Sequence, residues 1–325
     1  MTTVFTQLRR KVPVLVLLIG ALELPFLLSS QQESLLTRAL IFAMMAASLD
    51  LAYGQAGLYS LGHAALAGVG GYTAGLLMVR YGHESFWYLI VAAALASALA
   101  SLVFALVSLR ARGLYFILVT LALGQMVSNL AQQWDFLKTA QAEAVTGIYI
   151  PSLGLGEDWH SGTLYQFVLV LTVLGLFTIQ RIIGSPLGLA FRGSRDNEVR
   201  MEALGYDVWR YRVVAIVLSG TLSGVCGALF AFQSGLISPT NIGVATSGLL
   251  VLMAIIGGSG TRYGAFIGGI LVTLLQFYAN QWSMERAPMI IGGLFIVTAL
   301  LLRFRPKVAG ALRSLTRGRV SHAVA

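Results

Sequence analysis

Residues 35–79 read LLTRALIFAMMAASLDLAYGQAGLYSLGHAALAGVGGYTAGLLMV, two apolar runs on either side of the glycine-rich stretch 54–62 (GQAGLYSLG). At about 1.5 Å of rise per residue, each run reaches across a hydrocarbon core roughly 30 Å thick. The only formal charges in the whole stretch are Arg38 and Asp50, whereas a soluble helical pair would carry a charged face. The same reading extends in both directions, to runs at 12–30, 86–109, 113–133, 163–183, 212–233, 245–258, 264–281 and 288–302, ten in all with 35–53 and 60–79. The predicted fold class is an all-α membrane protein with about ten transmembrane helices and glycine-broken segments.

Composition excludes the other classes. Of 325 residues, 57% are hydrophobic and 11% charged, with a mean hydropathy of +0.80. Soluble domains carry roughly 25% charged residues, and disordered chains need low hydropathy. The one cysteine, Cys226, lies inside the seventh run, so a disulfide scaffold is excluded as well. The first run follows Arg9, Arg10 and Lys11 as a signal peptide would, but it contains Glu23 and Pro25 and has no small-residue cleavage pattern before Gln31. It is read as an uncleaved span.

The net charge of +9 is explained by topology. With the N-terminus in the cytoplasm, 18 of the 22 basic residues fall on the inner side, and only Arg38, Arg80, Lys138 and Arg286 fall outside. Cytoplasmic loops of membrane proteins carry such an excess, so both termini are expected in the cytoplasm. Nucleic acid is excluded as a partner, because the basic residues sit at span ends and do not interleave with aromatics on one surface. Membrane lipid is the expected surrounding. The chain divides into a cytoplasmic N-terminus, 1–11, one membrane domain, 12–302, and a basic cytoplasmic tail, 303–325. The domain has an extracytoplasmic loop at 134–162 and a cytoplasmic segment at 184–211.

Glycines at Gly71/Gly75, Gly220/Gly224 and Gly264/Gly268 have the spacing that lets helices approach closely in lipid. The clusters 54–62 and 257–264 (GGSGTRYG) are too crowded for regular helix, and each lies between an inward and an outward span. They read either as tight cytoplasmic turns or as broken backbone. Broken backbone at membrane depth is tolerated where it is buried in protein or lines a watery cavity. That second reading makes Gly54, Gln55, Gly57, Ser60, Gly62, His63, Gly257, Gly258 and Gly260 candidates for a translocation pathway, with a weak internal repeat relating the two clusters.

No catalytic set can be assembled. The histidines His63, His83, His160 and His322 include no pair with metal-ligand spacing, and the run 257–264 has Arg262 but no phosphate-binding lysine. Neither a metal nor a cofactor is expected, and this chain is not expected to hydrolyse ATP. Two acids lie within spans, Glu23 and Asp50, and both are read as packing or interface groups. His63 is read as packing or capping backbone near Gly62.

The segment 185–209, SPLGLAFRGSRDNEVRMEALGYDVW, predicts a helix of about ten residues that starts at Arg195, is capped by Ser194 and stops at Gly205. Val199 and Ala203 pair on one face, while Arg195, Glu198, Arg200 and Glu202 stay polar. The expected shape is a compact exposed knob.

Tyr53–Leu77, Arg112–Gly124 (RGLYFILVTLALG), the knob segment and Ala254–Gly269 (AIIGGSGTRYGAFIGG) resemble, in the same order, the LivM-type permease subunits of branched-chain amino acid ABC transporters. The resemblance runs from about residue 35 to 302. It implies a second homologous permease, two ATP-binding subunits and an extracytoplasmic solute-binding protein as partners, in a bacterial inner membrane. It also implies that the knob is the ATPase-coupling helix, with Glu202, Ala203 and Gly205 in its E-A-x-x-G element and Arg195, Asn197 and Glu198 alongside. Leu204 replaces the second alanine of the strict form. The stretch 138–148 (KTAQAEAVTGI) departs from a T-G-G-x-x-G-like run, with Ala140 and Gln141 where glycines are expected. The implied substrate is a branched-chain or other hydrophobic amino acid, with urea, amides or aromatic and other carboxylates as alternatives. A carrier driven by an ion gradient is the competing class, in which Glu23 or Asp50 would couple the ion.

Overall fold

The computed structural model describes residues 29–137, 144–151 and 163–282, together with positions 289, 292, 293 and 296. The chain divides into two compact units after Thr273, and the packing that follows is that of the first. The predicted run 12–30 apart from its last two positions, with Glu23, both tails, and the run 288–302 apart from those four positions lie outside the described residues.

Helices occupy the other eight predicted runs. In chain order, α1 is Ser30–Asp50, continued by a π-helical turn at Leu51–Gln55; α2 is His63–Tyr81, α3 Phe86–Ser108 and α4 Leu114–Gln133. A two-residue strand β1, Val145–Thr146, precedes α5, Thr163–Gly184. Then come α6, Pro186–Asp196, α7, Glu198–Ala203, and α8, Val208–Ser234. Strand β2, Leu236–Ile237, leads through a 3-10 turn, Pro239–Ile242, to α9, Val244–Gly257, and α10, Gly264–Trp282.

Among the described residues, five helices are long and apolar enough to cross a membrane: α1 counted through Gln55, α3, α4, α5 and α8. At 14 residues, α9 is about 21 Å long, short of a full crossing. Twelve of the 19 residues of α2 are buried, which makes it the central helix against which α3 and α8 pack.

Small residues set the spacing there. A Cβ on Gly70 of α2 would overlap the carbonyl of Gly224 in α8, and one on Gly227 would overlap the carbonyl of Ala67. The backbones touch directly, as small-residue interfaces in lipid allow. On α3 the buried stripe Ala93, Ser97, Ser101, Phe104 and Ser108 recurs at helical spacing. Ser97 donates to the Leu66 carbonyl of α2 at 3.3 Å, and a Cβ on Gly224 or Gly220 would strike the Ser97 or Ser101 hydroxyl. The opposite face of α3 exposes Val91, Leu95, Leu99 and Val103, as a lipid-facing helix does.

At the far end of α2, Gly82 takes the left-handed conformation (φ 65°) and closes the helix with hydrogen bonds from Gly82 to Met78 and from His83 to Leu77. There β1 and β2 pair antiparallel, Val145 with Ile237 and Thr146 with Leu236. Ile148 packs against Gly75, where a Cβ would lie 2.7 Å from its Cδ1. The predicted loop 134–162 thus contains a short segment seated on the helix core.

Gly70→Val is expected to destabilise by about 1–3 kcal/mol through overpacking against α8. Gly248→Ala, which meets open space on α9, should be neutral or slightly stabilising. Thermal unfolding in detergent checks both, and equal melting temperatures for the two variants would contradict the packing described.

Candidate functional site

The first glycine cluster is broken backbone. After the π turn, Gly57 has φ 73° and Leu58 donates back to the Ala52 carbonyl at 2.9 Å, so α1 ends and the chain crosses to α2 without helical geometry. The start of α2 needs partners for its free N–H groups, which lipid cannot supply. Neighbouring helices provide them. Thr120 of α4 accepts from Leu61 N at 3.2 Å, Ser247 of α9 accepts from Ala64 N at 3.1 Å, and Ser60 accepts from Gly62 N at 3.3 Å.

His63 is buried at this junction. Its Nε2 lies 3.4 Å from the Ser48 hydroxyl, and its carbonyl accepts from Ser223 at 3.5 Å. Ser60, Gly62 and His63 therefore sit in the protein interior, holding α1, α2 and α8 together.

The second cluster is the turn between α9 and α10, with Gly258 at φ 93° and Gly260 at φ 77°. Thr261 donates to the Gly258 carbonyl at 2.7 Å and accepts from Gly264 N at 3.1 Å, which caps α10. Backbone contact continues along the pair, because a Cβ on Gly257 would overlap the Gly264 carbonyl and one on Gly268 the Met253 carbonyl.

The two clusters meet. Gly260 N donates to both carboxylate oxygens of Asp50, at 2.9 and 3.1 Å, and the Gly260 carbonyl accepts from Gln55 Nε2 at 3.1 Å. A Cβ on Gly54 would collide with the Asp50 carboxylate and Gly260 N, so only glycine fits there. Asp50 is 4% exposed. Leaving such a buried group without its hydrogen-bond partner costs about 1–3 kcal/mol or more.

Helix α6 closes the cluster from the 184–211 segment. Arg195 Nη1 donates to the Gly54 carbonyl, and Arg195 also pairs with its neighbour Asp196 at 3.2 Å. Arg192, one turn earlier on the same face, donates to Gln55 Oε1 at 3.3 Å and to the Ile183 carbonyl at 3.2 Å. Asp50 is thus an interface group, as the reading of packing or interface groups expects, and Arg192 is not singled out by the sequence reading. Their signal in the sequence is the placement of Asp50 immediately before the first cluster and the i,i+3 spacing of the two arginines.

The predicted knob is built differently from expectation. Ser194 caps nothing; it is buried, and its hydroxyl turns back to the Phe191 carbonyl at 2.8 Å. Helix α6 already covers Arg195 and ends at Asp196. Asn197 is extended (φ −160°), and its side chain accepts from Arg200 N at 2.9 Å, so it caps the six-residue α7. Two helices joined at Asn197 replace the single one, because asparagine competes for backbone bonds better than a serine inside a helix. Gly205 does stop α7, with φ 86°. Glu202, Ala203, Leu204 and Gly205 are exposed, as are Val199 and Leu189.

Glu198 is turned inward. It pairs with Arg212 at 3.0 Å and Arg112 at 3.9 Å on the wall of a cavity of about 390 Å³, shared with Tyr59, Gly113 and Phe116. Arg195 and Glu198 therefore fix the knob to the body, Asn197 caps it locally, and Glu202, Ala203 and Gly205 face outward. Among the described residues, no three His, Cys, Asp or Glu side chains group so as to hold a metal ion.

Three relatives bear on this arrangement. The chain is 29% identical to the high-affinity branched-chain amino acid transport system permease protein LivM of Salmonella typhimurium, covering 93% of this chain and 75% of that one. It is 28% identical to LivM of Escherichia coli over the same shares. It is 26% identical to the permease protein BraD of Pseudomonas aeruginosa, another high-affinity branched-chain amino acid system, over 83% of this chain and 92% of that one. Residues 32–299 match the family described as branched-chain amino acid transport system / permease component, and the chain belongs to that family.

Proposed function

We propose that this chain is one permease subunit of an ATP-driven, binding-protein-dependent importer of branched-chain or other hydrophobic amino acids, seated in a bacterial inner membrane. A homologous second permease completes the pathway, two ATP-binding subunits dock from the cytoplasm, and an extracytoplasmic solute-binding protein delivers substrate. The observation that carries this reading is the exposed α7 knob, bearing Glu202, Ala203 and Gly205 on a chain of this family. Its exposed apolar side chains, Val199 at 75% and Leu204 at 67%, suit insertion into a groove on another subunit.

Chemistry within the spans supports a zwitterionic apolar substrate. Fixed charges at membrane depth are scarce, and half-helix ends and unwound backbone can meet a carboxylate and an ammonium through dipoles. The short α9, whose N-terminal turn lies beside the start of α2, is such an element. Gly54, Gln55, Gly57, Ser60, Gly62, His63, Gly257, Gly258 and Gly260 act in this reading as the backbone that bends when the pathway opens and closes. ATP-driven approach of the two ATPases draws the knobs together and rocks the permeases between inward-open and outward-open states.

Glu202→Lys is expected to lower uptake at least tenfold in cells while the protein still inserts and accumulates. Normal leucine and isoleucine uptake in that variant would remove the coupling role from the knob. Gly205→Ala has room for its methyl but forces alanine to φ 86°. It should cost about 1–2 kcal/mol, and hydrogen exchange of the amides 200–206 should quicken roughly 5–30-fold.

A further inference from the structure

We propose that Arg195, Arg192, Gln55 and Asp50 form a clasp that makes the turn between α9 and α10 follow any displacement of α6. Arg195 and Asp50 are its positioning residues. The inference rests on the importer reading for its use, and on geometry alone for its existence.

The order of the hydrogen bonds is what argues for it. Gly260 is held by both of its backbone groups, its N–H on the Asp50 carboxylate and its C=O on the Gln55 amide, and both of those side chains belong to the end of α1. Within the turn, Thr261 closes on the Gly258 carbonyl through its hydroxyl at 2.7 Å and through its N–H at 3.4 Å, and Gln180 of α5 holds the Arg262 carbonyl from outside. Gly260 itself is placed by α1. The end of α1 is set in its turn by α6, through Arg195 on the Gly54 carbonyl and Arg192 on Gln55 Oε1. Close packing leaves no slack, since a Cβ on Gly57 would lie 2.6 Å from Arg195 Cγ and one on Gly260 3.3 Å from Arg195 Nη1.

Suppose α6 moves. If the breaks stay behind, Arg195 leaves the Gly54 carbonyl without its donor and Arg192 leaves Gln55 Oε1 without its own. Both acceptors are buried, where an unpaired oxygen is costly. If the breaks move with α6, every bond of the clasp is kept and the change falls on glycine torsions, at Gly57, Gly258 and Gly260, where rotation is least hindered. The second course costs less. Helix α6 continues through Asn197 into the α7 knob, so a push on the knob reaches both breaks at once, and through them the ends of α1, α9 and α10.

Neither arginine is needed to close the turn by direct contact with its amides, and that separates this proposal from ordinary packing. In the purified full-length chain, Arg195→Ala is expected to speed hydrogen exchange of the amides 258–264 at least tenfold. Arg195→Lys, which keeps one donor and the charge, should restore most of the protection. Unchanged exchange at 258–264 in Arg195→Ala overturns the clasp. Should that variant fail to yield folded protein, Gln55→Met removes the amide bridge at similar volume and must release the same amides, and protection equal to wild type overturns the clasp again.

The functional arm uses the complete complex in proteoliposomes, measuring leucine taken up per ATP hydrolysed. Arg195→Ala is expected to hydrolyse ATP while transporting at least tenfold less per ATP, with Arg195→Lys in between. A wild-type ratio in Arg195→Ala means the clasp does not transmit motion and overturns the proposal. If the unmutated complex takes up no leucine with ATP, the importer reading fails, and the exchange data still decide the clasp.

Discussion

A helix that breaks inside a membrane protein leaves N–H and C=O groups that lipid cannot satisfy, and the organisation of this chain follows from where those groups find partners. The start of α2 takes its acceptors from Thr120 and Ser247, side chains of two other helices. The α9–α10 turn takes both an acceptor and a donor from α1. The end of α1 takes its donors from α6. Each break is thus completed by another element, so the breaks hold the bundle together at the points where a continuous helix would have held only itself.

Partners of that kind must come close, and the glycine and serine content of the helices makes this possible. Where Gly70 meets Gly224 and Gly227 meets Ala67, α2 and α8 touch backbone to backbone. Larger residues would move α8 outward and carry Ser223 away from the His63 carbonyl. Small-residue packing and backbone satisfaction are therefore one requirement met in two places. The glycines that shorten the distance between helices are the reason that hydroxyls and carboxylates of modest length can reach the breaks.

Much of this was legible in the sequence. Apolar runs of 18 or more residues mark helices directly, and eight of the predicted runs coincide with helices to within a few residues where the structure describes them. Glycine crowding at 54–62 and 257–264 located both breaks, because no regular helix favours such density. Pairwise facts were less visible. Nothing in a linear reading sets Asp50 beside Gly260, 210 positions away, or Arg192 beside Gln55. The knob is exposed, as the sequence leads one to expect, but its cap differs: Ser194 and Asn197 are both good capping residues. The choice between them is made by burial of Ser194 against α6's own turn, a tertiary fact that propensity does not carry. Glu198 looked like a solvent-facing charge on a short helix, yet the neighbouring Arg212 at the start of α8 draws it inward.

Exposure and burial divide the labour of the 184–211 segment. Its outer residues, Val199, Glu202, Ala203 and Leu204, make few demands on the rest of the chain and are free to match another surface. Its body-facing residues, Arg192, Arg195 and Glu198, reach the rest of the chain through carbonyl, amide and guanidinium partners, although the Arg195 side chain stays 39% exposed. An element that only docked would need the first set, and one that only stabilised the bundle would need the second. In the proposed reading, carrying both on two short helices joined at one asparagine lets the segment receive a force outside and deliver it inside. The bonds of Arg195 and Arg192 to Gly54 and Gln55 end at the first glycine break, a place where the backbone can yield.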